Sequence, residues 1–226
     1  MCIRDRFTGE ALYGPLEGAR LPRWPLHQSR WREWRALYPG TMILNGRGES
    51  RRGHGFDCLD PDSRVVPGFI ARTQLHYDDR LPQSTLVLGV ELPSHAKAYP
   101  LDVLHRRGAV LQDRVGPMEI VILTQPGSWT SMAFEGTLDG RPLRFAPAEA
   151  FPVADMDTGT RWNVTGLGVA GPLTGRRLPF VPSGIEKWYA WFAYHPGTEI
   201  YQPAPQLSEL AIGMHPRYGR PDDEGR

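Results

Sequence analysis

The chain has 226 residues, 40% of them apolar, with 26 Lys and Arg against 25 Asp and Glu and a net charge of +1. A near-neutral chain has no long-range field to gather a polyanion, which argues against nucleic acid as a partner, and no apolar run approaches the ~20 residues that cross a bilayer as a helix. The 22 prolines and 25 glycines, without collagen periodicity, predict short elements joined by many tight turns.

The chain opens on a short polar leader containing Cys2, and Cys58 is the other cysteine; no disulfide is read from the two. From Phe7 to Leu44 the sequence matches Val164 to Tyr201 at a constant offset of 157, without a gap, with 17 of 38 positions identical. Gly14-Pro15-Leu16, Arg20-Leu21-Pro22, Trp31, Trp34 and Pro39-Gly40-Thr41 return as Gly171-Pro172-Leu173, Arg177-Leu178-Pro179, Trp188, Trp191 and Pro196-Gly197-Thr198. A repeat unit needs its partner elements to bury its apolar face. Residues 1–44 are therefore expected to be the tail of a first repeat lobe whose front is missing from this fragment.

Within each copy, glycine and proline predict a turn before a short helix. Trp31, Trp34 and Leu37 fall on one helical stripe, as do Trp188 and Trp191, and Pro-Gly ends each helix. Both tryptophan pairs are expected in the core, because that spacing turns one face inward. In the second copy, Ser183 and Glu186 have the spacing of a capping box at the helix start.

Residues 45–84 carry Gly46, Gly48, Gly53 and Gly55 among arginines and aspartates and are read as an inter-lobe linker. His54 and Cys58, with Asp57, Asp60 and Asp62, are the one cluster there that looks like metal ligands. Zinc sites gather three or four such groups, and the bland reading is a solvated loop with a free thiol.

Residues 85–201 read as a second repeat lobe of short strands: 85–92, 96–101, 118–123, 129–138 and 141–146. Asp139-Gly140 marks a hairpin, and one or two helical turns are expected over 102–108. The fold class is thus mainly β with short helices (α+β), a tandem repeat of short antiparallel strands with one Trp-bearing helix per copy. Residues 202–226 are proline-rich, then charged, and are read as a disordered tail.

Candidate chemistry is sparse. Gly166-Leu167-Gly168-Val169-Ala170-Gly171 spells a dinucleotide fingerprint, but Pro172 and Gly175 follow where a helix should hold the pyrophosphate. Turn glycines are the better reading, and no cofactor is evident. Asp155, Asp157 and Thr158 alternate oxygen side chains, yet the twelfth position of a calcium loop falls on Gly166 rather than Glu. A turn bonded to its own backbone, followed by a packed Trp162, fits better. His105, with Asp113 or with Asp102 and Glu119 to orient it, is the remaining acid-base candidate, set against a histidine satisfied at a helix end.

Val87-Leu88-Gly89-Val90, Ala96 to Leu101, Asp113-Arg114-Val115-Gly116, Asp157 to Trp162, Ala170 to Leu178 and His195 to Thr198 together resemble a bacterial and archaeal family, domain of unknown function 3179. The likeness covers about residues 7–44 and 79–201. It implies two lobes, often behind an export signal and hence an exported or periplasmic location. It also implies a Cys-Pro-Leu-Cys-Gly segment on a strand end of the first lobe, with a histidine shortly before it and a thiol or metal site there. The corresponding stretch of the second lobe, Val121 to Ser128, has no cysteine, so thiolate chemistry cannot operate at it.

Three functional expectations follow. The first is a non-catalytic scaffold lobe that packs against its own missing N-terminal lobe. The second is part of a thiol-redox or metal-binding enzyme whose metal would lie in that missing lobe. The third is a polymer- or carbohydrate-binding module acting through tryptophans.

Overall fold

The computed structural model describes residues 3–4, 9–21, 24, 26–43 and 78–203. His54, Cys58, Cys2, most of the stretch read as a linker and nearly all of the tail lie outside the described residues. The chain forms β1 (Ile3–Arg4), β2 (Ala11–Tyr13), α1 (Trp31–Leu37), β3 (Leu86–Leu92), β4 (His95–Pro100), α2 (Leu101–Arg107), β5 (Val110–Val115), β6 (Met118–Thr124) and β7 (Ser131–Glu135). There follow β8 (Thr137–Leu138), β9 (Arg141–Pro142), β10 (Val153–Ala154), β11 (Arg161–Trp162), β12 (Gly168–Ala170), β13 (Ser183–Lys187), α3 (Trp188–Tyr194) and β14 (Glu199–Ile200). It is a mainly β structure with three short helices among the described residues.

Two sheets form the body. One has the order β13-β3-β4-β14, antiparallel except for β14, which runs parallel to β4. The other is the antiparallel meander β5-β6-β7. β3 and β6 read as continuous apolar runs because each is covered on both faces. From β3, Leu86, Leu88 and Val90 join Ile120 and Ile122 of β6 in the core between the sheets. Val87 faces outward with Ala98 onto Trp188, Trp191 and Phe192 of α3. On the far side of the meander, Val121 and Leu123 pack with Phe134, Phe145 and Trp162.

The outer layer carrying Trp162 is built from turns. Asp139 and Gly140 both take positive φ, 52° and 75°, and close the β8–β9 hairpin as expected. Asp155 accepts from the Thr158 amide and hydroxyl and, at 2.9 Å, from the Trp162 indole, so the buried carboxylate is satisfied within its own turn. Gly168 to Ala170 is a strand, and a turn over 171–175 rather than a helix comes directly after it.

The repeat is structural as well as sequential. α3 lies at the offset of α1, and β12 at the offset of β2. The isolated bridges Glu10–Arg20 and Leu167–Arg177 correspond. Trp34 Nε1 donates to Thr41 Oγ1 at 2.8 Å, and Trp191 Nε1 to Thr198 Oγ1 at 2.9 Å. Gly9, Gly14 and Gly18 have positive φ, as do Gly166, Gly171 and Gly175. Such backbone favours glycine, which explains why these positions are identical in both copies.

Burial separates the copies. Trp31 is 46% exposed where Trp188 is 0%, Leu21 is 55% where Leu178 is 4%, and Trp24 is 82% where Val181 is 1%. The expectation that both tryptophan pairs lie in the core therefore holds for Trp188 and Trp191, while Trp34 is half-buried and Trp31 is not core. In the second copy β3 and β4 cover the helix; among the described residues nothing equivalent covers α1.

The expected capping box is also corrected. Ser183 and Glu186 belong to β13, which pairs Ser183–Lys187 with Leu86–Val90, and α3 starts only after Lys187 with no side-chain cap. Ile185 enters the inter-sheet core, so strand pairing and apolar burial outweigh the local capping signal. β5 was not among the strands expected from sequence, nor was β13. Residues 78–84, at the end of the stretch read as a linker, pack on α3: Trp188 Nε1 donates to the Asp78 carbonyl at 3.3 Å, and the Arg80 guanidinium lies 5.4 Å from the Trp188 ring.

Gly89 is the position where packing is least forgiving. A Cβ built there would lie 2.2 Å from the Trp191 ring, whereas one at Gly184, on the neighbouring strand, would meet nothing within 4 Å. Gly89→Val is expected to lower stability by about 1–3 kcal/mol through overpacking, and Gly184→Ala to change it by less than about 0.5 kcal/mol. Urea denaturation of both variants checks this; equal midpoints would contradict the packing assignment.

Candidate functional site

The most developed polar constellation lies at the β6–β7 turn, Gln125 to Thr130. The turn is closed by Gln125 N to Thr130 O at 2.8 Å and Ser128 N to Gln125 O at 3.1 Å, with Gly127 at φ 71°. Ser128 and Thr130 are each about fully buried. Ser128 Oγ donates to Glu33 Oε2 and accepts from the Thr130 amide at 3.2 Å. Thr124 and Ser131 bridge the strand ends through their hydroxyls at 2.9 Å. Glu33 is the third residue of α1 and also accepts from the Arg30 amide at 3.2 Å, so one carboxylate caps its own helix and clasps a turn 95 residues away.

His105 joins this group from α2. Leu101 and Leu104 are buried and anchor the helix, which brings His105 Nε2 to 2.7 Å from the Ser128 carbonyl. A carbonyl only accepts, so Nε2 carries the proton and, in the neutral ring, Nδ1 keeps the lone pair. The ring borders an open cleft of about 390 Å³ shared with Thr85, Leu101, Asp102 and Trp129.

Asp113 has other partners. Its Oδ2 accepts from Tyr99 OH at 2.8 Å and pairs with Lys97 Nζ at 2.7 Å. Tyr201 stacks on Tyr99 at 5.3 Å, and Lys97 Nζ lies 5.6 Å from the Tyr99 ring. Burial, then the hydrogen bond and charge of Asp113, push the Tyr99 phenol well above its ordinary pKa, so it stays a neutral donor. Asp102 pairs with Arg106 at 2.9 Å and Glu119 with Arg114. No described hydrogen bond joins His105 to Asp113, Asp102 or Glu119. His54 and Cys58 lie outside the described residues, and among the described residues no three His, Cys, Asp or Glu side chains converge as metal ligands.

Glu33, Ser128 and Thr130 were not singled out by the sequence reading. The Val121 to Ser128 stretch was marked by family likeness alone. Glu33 had no local signal, since an acidic residue in a first helical turn is ordinary.

A second contact joins the copies. Gln28 Oε1 accepts from the Ile185 amide at 3.2 Å, and these two residues are themselves related by the offset of 157. The β13-equivalent segment of the first copy thus touches β13 of the second through one pair of equivalent residues. Nearby, the His27 ring is 5.5 Å from Trp34, and neither of its nitrogens has a hydrogen-bond partner among the described residues.

Taken together, the fold is a tandem-repeat β protein whose most developed polar cluster joins the two copies. The chain belongs to the family described as protein of unknown function, DUF3179, which matches residues 5–198. No curated protein and no solved structure matches it. No helix among the described residues is long and apolar enough to cross a membrane.

Burial pulls the His27 imidazole below its ordinary value near 6.5, with the Glu33 charge opposing. The unfolded chain then takes up a proton that the folded site resists, so stability is full above about pH 6.5 and is lost as pH falls from there through the folded pKa. Hydrogen exchange of amides 31–38, corrected for intrinsic rates, should show less protection at about pH 5.5 than at about pH 7.5, and His27→Phe should remove the difference. Equal protection in the unsubstituted chain at both pH values would contradict the burial of a neutral ring.

Proposed function

We propose that residues 85–201 form a scaffold lobe that supports a sister lobe through α1, rather than a catalytic centre in its own right. The observation that carries this reading is the closed β6–β7 turn. Ser128 and Thr130 have their hydroxyls committed, His105 is spent on the turn's carbonyl, and Glu33 from the first copy supplies the clasp. A buried serine bonded this way is not presented to a substrate, whereas the same bonds fix the angle at which α1 meets the second unit. The resemblance implies sulfur chemistry in a sister lobe, at the counterpart of this turn, and here Gly127 and Ser128 stand instead of cysteine. On this reading, metal would be held in a sister lobe and the lobe described here would steady it, in an exported or periplasmic protein.

A second reading is favoured by one specific observation. A histidine whose Nε2–H is fixed by a backbone carbonyl has the outer-shell arrangement common to metal-ligating imidazoles, and His105 borders an open cleft. In that case the lobe completes a metal-dependent or thiol-redox enzyme through His105.

The two readings part on one substitution. On the scaffold reading, His105→Ala lowers stability by about 0.5–1.5 kcal/mol through the loss of a part-buried hydrogen bond, and leaves the zinc titration of the chain by calorimetry unchanged. Loss of stoichiometric zinc uptake at unchanged stability would overturn the scaffold reading in favour of the enzyme.

A further inference from the structure

The exposed apolar surface of the described residues is concentrated in the first copy. Leu12, Tyr13, Leu16, Leu21, Trp24 and Trp31 are all exposed. A run of large apolar side chains in so few residues marks an interaction face, and the second copy shows what such a face receives. There, β13 pairs antiparallel with β3, β14 pairs parallel with β4, and the helix indoles rest on Val87, Gly89 and Ala98. The offset of 157 carries each of those contacts back onto the first copy. Residues 26–30 stand in the place of β13 and Met42–Ile43 in the place of β14, and both lie outside any strand. Arg30, at the offset of Lys187, already has the same extended backbone, φ −69° and ψ 145° against −74° and 144°.

From this correspondence we infer that the face formed by Trp24, residues 26–30, Trp31, Trp34 and Ile43 is a docking site for one antiparallel β-hairpin of the β3–β4 type. The occupant has an apolar first strand and a glycine at its fourth position beneath Trp34, as Gly89 lies beneath Trp191. The Gln28 side chain, which accepts from the Ile185 amide at 3.2 Å, ties this seat to β13 of the second copy. This inference deepens the scaffold reading and rests on it for the existence of a sister lobe; its own test reads backbone protection, not metal uptake or activity, so the two can fail separately.

The probe is the chain's own hairpin, residues 85–101, joined by a flexible linker ahead of the full chain, in two versions: unaltered and with Gly89→Val in the added hairpin only. Hydrogen exchange with mass spectrometry resolves the two copies by sequence. The unaltered fusion should slow exchange over residues 26–37 by at least ~10-fold, with the Gly89→Val version giving little or no slowing. As a second measurement, acrylamide quenching of tryptophan fluorescence should fall in the unaltered fusion alone, as Trp24 and Trp31 become covered. Equal exchange in both fusions and the unfused chain would overturn the proposal. So would protection of 26–37 in the unfused chain that rises with concentration as it dimerises, since a second copy would then be the occupant. Protection gained on adding anionic lipid vesicles to the unfused chain would likewise replace the hairpin with a membrane surface.

Discussion

The contact between the Trp191 indole and the backbone of Gly89 holds the second unit together. The ring occupies the space a side chain would fill on β3, and its N–H is satisfied by Thr198, which lies just before β14. One side chain thereby couples the helix, the central strand and the edge strand. Burying an indole removes roughly 150–250 Å² from water, a gross gain of up to ~4–6 kcal/mol. That gain is available only where the strand beneath carries glycine.

The same tail occurs twice, with the same helix, the same turn glycines and the same indole-to-threonine bond, but in two states of completion. In the second unit, Leu178, Val181 and Trp188 are inside because β3, β4, β6 and β7 lie over them. In the first, Leu21, Trp24 and Trp31 are outside. The first tail instead contributes Glu33 and Gln28, both directed at the second unit, one at the β6–β7 turn and one at β13. Polar contacts thus join the copies, while large apolar side chains of the first stay exposed. This division of labour is what a scaffold requires: one surface fixes an angle and another receives a partner.

Much of the fold was legible in the residues. The apolar runs of β3 and β6, the Asp139-Gly140 hairpin, the Asp155 turn and the repeated Trp-bearing helix all rest on local patterns that tertiary packing left intact. β5 was hidden because Gln112, Asp113 and Arg114 give it a polar interior, and its pairing with β6 is set by the Gly116-Pro117 turn. Ser183 and Glu186 misled because a capping pattern carries no information about an adjacent strand that needs a partner. Helical spacing marked one face of α1 as apolar but could not say whether anything covers it. The site was least legible: the Glu33–Ser128 clasp spans 95 residues and uses residue types common on any surface. His105 was singled out for the acidic residues near it in sequence, yet its partner is a backbone carbonyl, which no side-chain pattern reveals.

The central claim is that one module tail appears here both completed and open. Exchange of the individual indole N–H protons, followed by nitrogen-edited NMR after assignment of the tryptophans, tests it most directly. The account predicts slow exchange for Trp188 and Trp191, intermediate protection for Trp34 through its bond to Thr41, and exchange close to that of a free indole for Trp24 and Trp31. Trp31 as protected as Trp188, or Trp34 as labile as Trp24, would contradict it.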